Sequence, residues 1–389
     1  MAARAGPRYE PNAGAAHALK NFAFKSTKER SALRIVRETE LNGGVLSATM
    51  SREHLLLTAE FLKSDKEYFA QLLAEVIGSQ KLCRFEYNED VVPSMIADVE
   101  QAASSPLAIG IDSLYTTAFR NRSIGSSLFA SPGNLPTIES VRGFGQNALN
   151  GSNIALISSG LSNEELSDLA SKHFGGIPSG ARFHSEVPQY FGGDYRRAIT
   201  DAHGHALPHD HFFFAFEGQP RGSNAPLAVL AQLLGGGQSP VKWSKSRSVL
   251  AQIPGANVHA FNTSFQDTGL FGVHVAAPTD MVHGAAKVAA NELRAVAGRA
   301  PTHDALKAAI AQAKFARAMA YEGSRELSHE TVAAGLLGGE PANLGADISL
   351  LEGVKAEDVS AAAQALLKSK PTSVALGDLK KLPYADELF

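Results

Sequence analysis

Sulfur chemistry is almost missing from this chain of 389 residues: Cys83 is its one cysteine, which excludes an intrachain disulfide and any cysteine-based zinc site. So little cysteine fits a reducing compartment, the cytosol or the mitochondrial matrix. Excess charge is missing too. Lys and Arg number 36 against 39 Asp and Glu, a formal net charge of -3, so nothing argues for a nucleic-acid partner, which calls for a strongly basic face. No uninterrupted apolar run approaches the roughly 18 residues a spanning helix needs, so no transmembrane segment is expected. Arg4 and Arg8 precede the first acid, Glu10, in a stretch that reads as too short for a transit peptide.

What is present is material for cores. Hydrophobic residues make up 44% and charged residues 19%, and the length is comfortable for two domains. The spacing predicts a short helix over 14–24 and a second helix opened by Thr27 as N-cap, with Leu33, Ile35 and Val36 as apolar positions, closed by Gly43-Gly44. A hairpin follows, Val45 to Met50 and Leu55 to Phe61 around Ser51-Arg52-Glu53. Ser64-Asp65-Lys66-Glu67 has the form of a capping box ahead of Phe69, Leu72, Leu73 and Val76 at helical spacing. A polar helix over 90–104, a helix over 137–149, a strand over 152–158 and a second capping box at Ser162 complete this half.

Residues 177–195 shift to Pro, Gly, Ser and isolated charges, after which the order of elements begins again. Two strands around a His-rich turn over 198–216 lead to a helix over 225–234 and a hairpin over 258–265 and 270–276. Helices over 279–296, 302–321 and 326–337 follow, then a closing helix over 355–368 and strand over 373–377. The layout of 138–156 recurs in 356–376. This duplication predicts an α+β protein of two homologous domains, 1–185 and 196–389, each a mixed β-sheet with helices packed on it, joined by a linker over 186–195. Set beside the second half, the first is short of one or two strands ahead of Gly14, which would leave a sheet edge unpaired.

The sharpest chemical signal is a motif with its chemistry removed. H-x-x-E-H on a helix presents two His to zinc and a Glu to the attacking water. Here that frame holds His17, Ala18, Leu19, Lys20 and Asn21. Only the first ligand remains, a Lys stands at the base position and an Asn at the second imidazole. The reading is therefore that no residue is catalytic, that no metal or other cofactor is held, and that His17, Lys20 and Asn21 mark a degenerate zinc site.

Asn12 to His17, Phe24 to Thr27 and Leu41 to Ala48 resemble the first-domain signature of the pitrilysin and mitochondrial processing peptidase superfamily. Phe261 to Val273 and the tail Ala375 to Leu379 with Pro383 to Leu388 are similar, within it, to the core proteins of the mitochondrial cytochrome bc1 complex. The resemblance covers nearly the whole chain. It implies two peptidase-like domains, with the family's last zinc ligand expected near Asp98, on Asp98 or Glu100. It also implies a substrate-holding Arg and Tyr in the second domain; Arg247 is near the expected place, yet no Tyr occurs between Ser248 and Ala260. Only Gly235 to Lys242 stands where a processing peptidase carries a long glycine-rich loop.

The function implied is that of a non-catalytic structural subunit of complex III, peripheral on the matrix side of the mitochondrial inner membrane. It would pair with core protein 1 as a heterodimer within a dimeric complex and support assembly and stability during electron transfer. The alternative is a processing-peptidase-like subunit that recognises or cleaves presequences. A free-standing binding protein on the same scaffold is a third option.

Three further features have bland readings that outweigh sharp ones. His203, His205, His209 and His211 lie in a turn; His at i and i+2 on a strand can chelate a metal, but a His-rich hairpin turn is the simpler account. Lys20, Lys25, Lys28, Arg30, Arg34 and Arg37 read as a solvated face compensated by Glu29, Glu38 and Glu40 rather than as a partner surface. Gly235-Gly236-Gly237 lacks the Gly-Lys-Ser/Thr ending of a phosphate loop.

Overall fold

The computed structural model describes residues 1–200, 207–236, 248–323 and 325–389. Its strands are β1 (Ala2–Ala3), β2 (Val45–Met50), β3 (Leu55–Glu60), β4 (Ile154–Ala155), β5 (Gly193–Arg197), β6 (Asp210–Gly218), β7 (Asn257–Ser264), β8 (Gly269–Ala277) and β9 (Thr372–Leu376). The helices of the first half are α1 (Ala15–Asn21), α2 (Ala32–Leu41), α3 (Lys66–Gly78), α4 (Arg84–Glu86), α5 (Val92–Ala103), α6 (Pro106–Ala118), α7 (Ile138–Ala148) and α8 (Asn163–Leu169). Those of the second are α9 (Ala225–Leu234), α10 (Val282–Gly298), α11 (His303–Glu322), α12 (Arg325–Gly338), α13 (Leu344–Glu352), α14 (Ala356–Lys368) and α15 (Ala385–Leu388).

The elements gather into two compact units. Unit 1 comprises Met1–Gln101, Ser126–Glu186 and Ser324–Ala342; unit 2 comprises Ala102–Gly125, Val187–Gly323 and Asn343–Phe389. These are not the contiguous stretches 1–185 and 196–389. One boundary between the units falls between Glu186 and Val187, but α6 from the first half belongs to unit 2 and α12 from the second half to unit 1. The reason is in the packing: each helix covers a sheet face that the rest of its unit leaves bare.

In unit 1 the sheet runs β2-β3-β1-β4, with every neighbouring pair antiparallel. Side chains alternate along β3, so Leu55 and Leu57 enter a core with Leu19 of α1, Phe22 just after it, Phe69 and Leu72 of α3 and Phe144 of α7. Leu56 points the other way and packs with Ala2 against Ala333 and Leu337 of α12. The first half does have a strand ahead of Gly14: Ala2–Ala3 pairs with β3 on one side and β4 on the other, inside the sheet rather than at an open edge. Two alanines carry no period-2 pattern to read.

In unit 2 the order is β5-β9-β6-β8-β7, parallel between β5 and β9 and antiparallel elsewhere. Strand β6 is apolar on both faces. Phe212, Phe214 and Phe216 join the large core with α9, α10 and α14, while Phe213 and Ala215 meet Leu114, Tyr115 and Ala118 of α6. Helix α6 lies so close to the sheet that a Cβ on its Gly110 would fall 2.2 Å from the Phe213 ring.

Local expectations hold or fail for identifiable reasons. Thr137 and Ser162 cap α7 and α8 through their side chains, the latter as a full capping box with Glu165. Thr27 does not open a helix: Ser31 caps α2, and Thr27 closes a turn with Arg30 and bridges to Gln80. Ser64 does not cap α3 either, because a short 3-10 turn over Lys63–Asp65 precedes it. The strand expected over 152–158 is reduced to Ile154–Ala155.

Candidate functional site

Helix α1 carries the degenerate motif. It starts at Gly14, whose φ of 86° is left-handed, and a Cβ there would fall 2.5 Å from the Cβ of Ala130. The carboxylate of Glu10 accepts from the first-turn N–H groups of Gly14 at 3.2 Å and Ala16 at 2.9 Å. Burial is the larger influence on Glu10 and raises its carboxyl to about 7 against those hydrogen bonds.

Positions i, i+3 and i+4 share one helical face, so His17, Lys20 and Asn21 point together toward α5. Asp98 of α5 receives all three through a single oxygen: Oδ2 accepts from Lys20 Nζ at 2.6 Å, His17 Nε2 at 2.9 Å and Asn21 Nδ2 at 3.0 Å. Of the two carboxylates weighed for this place, Asp98 arrives and Glu100 stays exposed. Burial works to raise the Asp98 carboxyl, but hydrogen bonds from Lys20, Asn21 and His17 outweigh it and hold it at about 2.

The proton on His17 follows from its other neighbour. The backbone N–H of Ala130 donates to His17 Nδ1 at 3.1 Å, so Nδ1 presents its lone pair and Nε2 bears the hydrogen given to Asp98. The ring is 2% exposed, with Phe129 edge-on at 5.8 Å. Burial, then the nearby Lys20 charge, push the imidazole below its usual range despite Asp98, in keeping with a neutral ring.

A hydrolytic zinc takes three protein ligands and keeps a position for water. The Lys20 ammonium has no lone pair and adds a like charge, Asn21 turns its amide nitrogen inward, and Nε2 of His17 is a donor. This set of groups does not fit the metal. What it does chemically is neutralise one partly buried carboxylate and tie α1 to α5. Sequence reasoning named Asp98 as a possible ligand but missed it as the hub, and missed Ala130, which acts through its backbone N–H, and Glu10, whose carboxylate accepts from backbone N–H groups that no residue type advertises.

The other candidates separate. Lys25 pairs with Asp90 at 2.9 Å, and Arg30 with Glu38 at 2.8 Å and with Glu75; Arg34 pairs with Glu38 at 2.5 Å, while Lys28 and Arg37 stay exposed. His211 on β6 shares a hydrogen bond with His274 on β8, Nδ1 to Nε2 at 3.0 Å, a partner set by strand register and invisible to local spacing. Their centroids are 5.3 Å apart and their planes 5° apart, a head-to-head contact across one proton. Burial lowers His274 to about 3. His203, His205 and Arg247 lie outside the described residues, and among those described no group of three or more His, Cys, Asp or Glu is placed to hold a metal.

Unit 2 has its own version of the α1–α5 arrangement. Helix α9 precedes the β7–β8 hairpin and α11 follows α10, as α1 precedes β2–β3 and α5 follows α3. Between α9 and α11 lies a cavity of about 390 Å³ whose lining includes Ala228, Ala231, Ala313 and Ala316. Arg317 and Asp347 also line it and pair at 2.6 Å, and Tyr321 donates to Asp347 at 2.8 Å.

Comparison with known proteins finds two family models along the chain. The family model described as Insulinase (Peptidase family M16) matches residues 2–131, and the one described as Peptidase M16 inactive domain matches residues 137–313. The chain is 41% identical to the protein named "Cytochrome b-c1 complex subunit 2, mitochondrial" of Cryptococcus neoformans var. grubii, over 100% of this chain and 88% of that one. It is 37% identical to the protein of the same name from Neurospora crassa, over 100% of this chain and 86% of the relative. It is 31% identical to "Mitochondrial-processing peptidase subunit alpha" of Solanum tuberosum, over 98% of this chain and 78% of that one. The chain belongs to peptidase family M16, in the branch whose members bear the name cytochrome b-c1 complex subunit 2.

Proposed function

We propose that this chain is a non-catalytic structural subunit of the mitochondrial cytochrome b-c1 complex, in the position of core protein 2. It supports assembly and stability while electrons pass from ubiquinol to cytochrome c on other subunits. The observation that carries the reading is the single Asp98 oxygen occupied by Lys20, His17 and Asn21, which leaves no water-activating group at the motif. Similarity to relatives of that name over the whole chain supports it. In this role the chain pairs with core protein 1, as a heterodimer within a dimeric complex, and sits peripherally on the matrix side of the inner membrane. No helix among the described residues is long and apolar enough to cross a membrane, so the attachment proposed is through partner subunits.

Purification of the chain from its native membrane in mild detergent tests this reading. Comigration with haem-bearing b and c1 subunits is expected. A detergent-free heterodimer with stoichiometric zinc would overturn it. A second reading, a presequence-recognising processing subunit, rests on the match to the processing peptidase alpha subunit. Presequence peptides that bind the isolated complex and lose binding on substitution of this chain would favour that one.

A further inference from the structure

We propose that the α1–α5 site is closed to divalent metals by the polarity of its hydrogen bonds as well as by its lost ligands, with Lys20 as its built-in cation. An imidazole that binds a metal through one nitrogen carries its proton on the other, and that N–H needs an acceptor. At His17 the second nitrogen meets a donor, the Ala130 N–H at 3.1 Å. A metal on Nε2 would set two N–H groups face to face.

The amide has little room to retreat. Ala130 is 2% exposed and packs onto Gly14, where a Cβ would stand 2.5 Å from its own. Its neighbour Phe129 holds the His17 ring edge-on at 5.8 Å. The charge that Asp98 needs then comes from the Lys20 ammonium at 2.6 Å, delivered along α1 without any ion from solution.

The consequence is specific: restoring Glu and His to the motif does not by itself restore a zinc site, because the Ala130 amide still fixes the wrong tautomer. Two measurements on the full chain test it. Long-range ¹H–¹⁵N spectra of histidine-labelled protein should show His17 with its proton on Nε2, unchanged by equimolar zinc chloride. Zinc titration of Lys20→Glu/Asn21→His should give an affinity about 10- to 100-fold weaker than the same pair combined with Ala130→Pro, which removes the N–H. Equal affinities for the two variants would overturn the proposal, as would an Nδ1–H tautomer or stoichiometric zinc on the unmodified chain. If circular dichroism shows that Ala130→Pro is unfolded, the tautomer of the unmodified chain decides.

Discussion

The two units place a helix pair at the same point in their element order and close it in opposite ways. In unit 1 charge does the closing: α1 and α5 meet through one Asp98 oxygen with three donors. In unit 2, α9 and α11 face each other mainly through alanines, and the described residues leave a cavity with one Arg317–Asp347 pair at its side. The difference shows that a duplicated scaffold can keep its backbone plan while the contact at one position is polar in one copy and mainly alanine in the other. Unit 1 has more to lose from one substitution there, and unit 2 more from its sheet.

That contrast can be broken by mutation and pH. Phe213→Ala empties the contact between β6 and α6 and should cost unit 2 about 3–5 kcal/mol in denaturant unfolding, with unit 1 little changed. Acid should also reach unit 2 first. His274 is lowered to about 3 in the fold and titrates near 6.5 unfolded, so its neutral form favours folding above about 6.5 and that stability is lost as pH falls toward 3. About 3 kcal/mol should be gone by pH 4, and His274→Phe should flatten the profile.

Asp98→Ala strands the Lys20 ammonium and the His17 N–H and should cost unit 1 about 2 kcal/mol, discounted for a side chain that is 28% exposed. Asp98 is depressed to about 2, so its stabilisation is present above about 4 and lost as pH falls through 2, a lower window than that of His274. Glu10 has the opposite sign: raised to about 7, it favours the fold below about 4.3 and loses that as pH rises through 7. Glu10→Gln should therefore gain stability over the unmodified chain at pH 8, read by thermal unfolding.

The smallest effects belong to the second helix pair. Asp347→Ala, at a pair with side chains 32% and 27% exposed, should cost at most about 1 kcal/mol. Ala228→Val should fill part of the cavity and be neutral or stabilising by about 0.5–1 kcal/mol. If Asp347→Ala proved as damaging as Asp98→Ala, the contrast between a charged and an apolar closure would fail.

Much of this was legible because it is local. Thr137 and Ser162 announce their helices through caps, the two hairpins show alternation, and His17 to Asn21 shows a motif without its ligands. What was not legible depends on distant chain. Helix α6, with Leu114, Tyr115 and Ala118 as its contact face, went unread between more strongly amphipathic segments, and nothing near it says that it covers β6 nearly a hundred residues on. The pairing of His211 with His274 needs the β6–β8 register. The tautomer of His17 rests on an amide 113 residues away, and Ala130 gives no hint of it.

The exchange of α6 and α12 has a consequence for how the protein is made. When synthesis has reached Glu186, the apolar face formed by Ala2 and Leu56 still lacks Ala333 and Leu337, whose codons are unread. Helix α6 meanwhile waits for a sheet not yet synthesised. Neither unit can complete as a vectorial, first-domain-first event, so the growing chain carries open hydrophobic surface until α12 and β9 have been made, a state prone to aggregation.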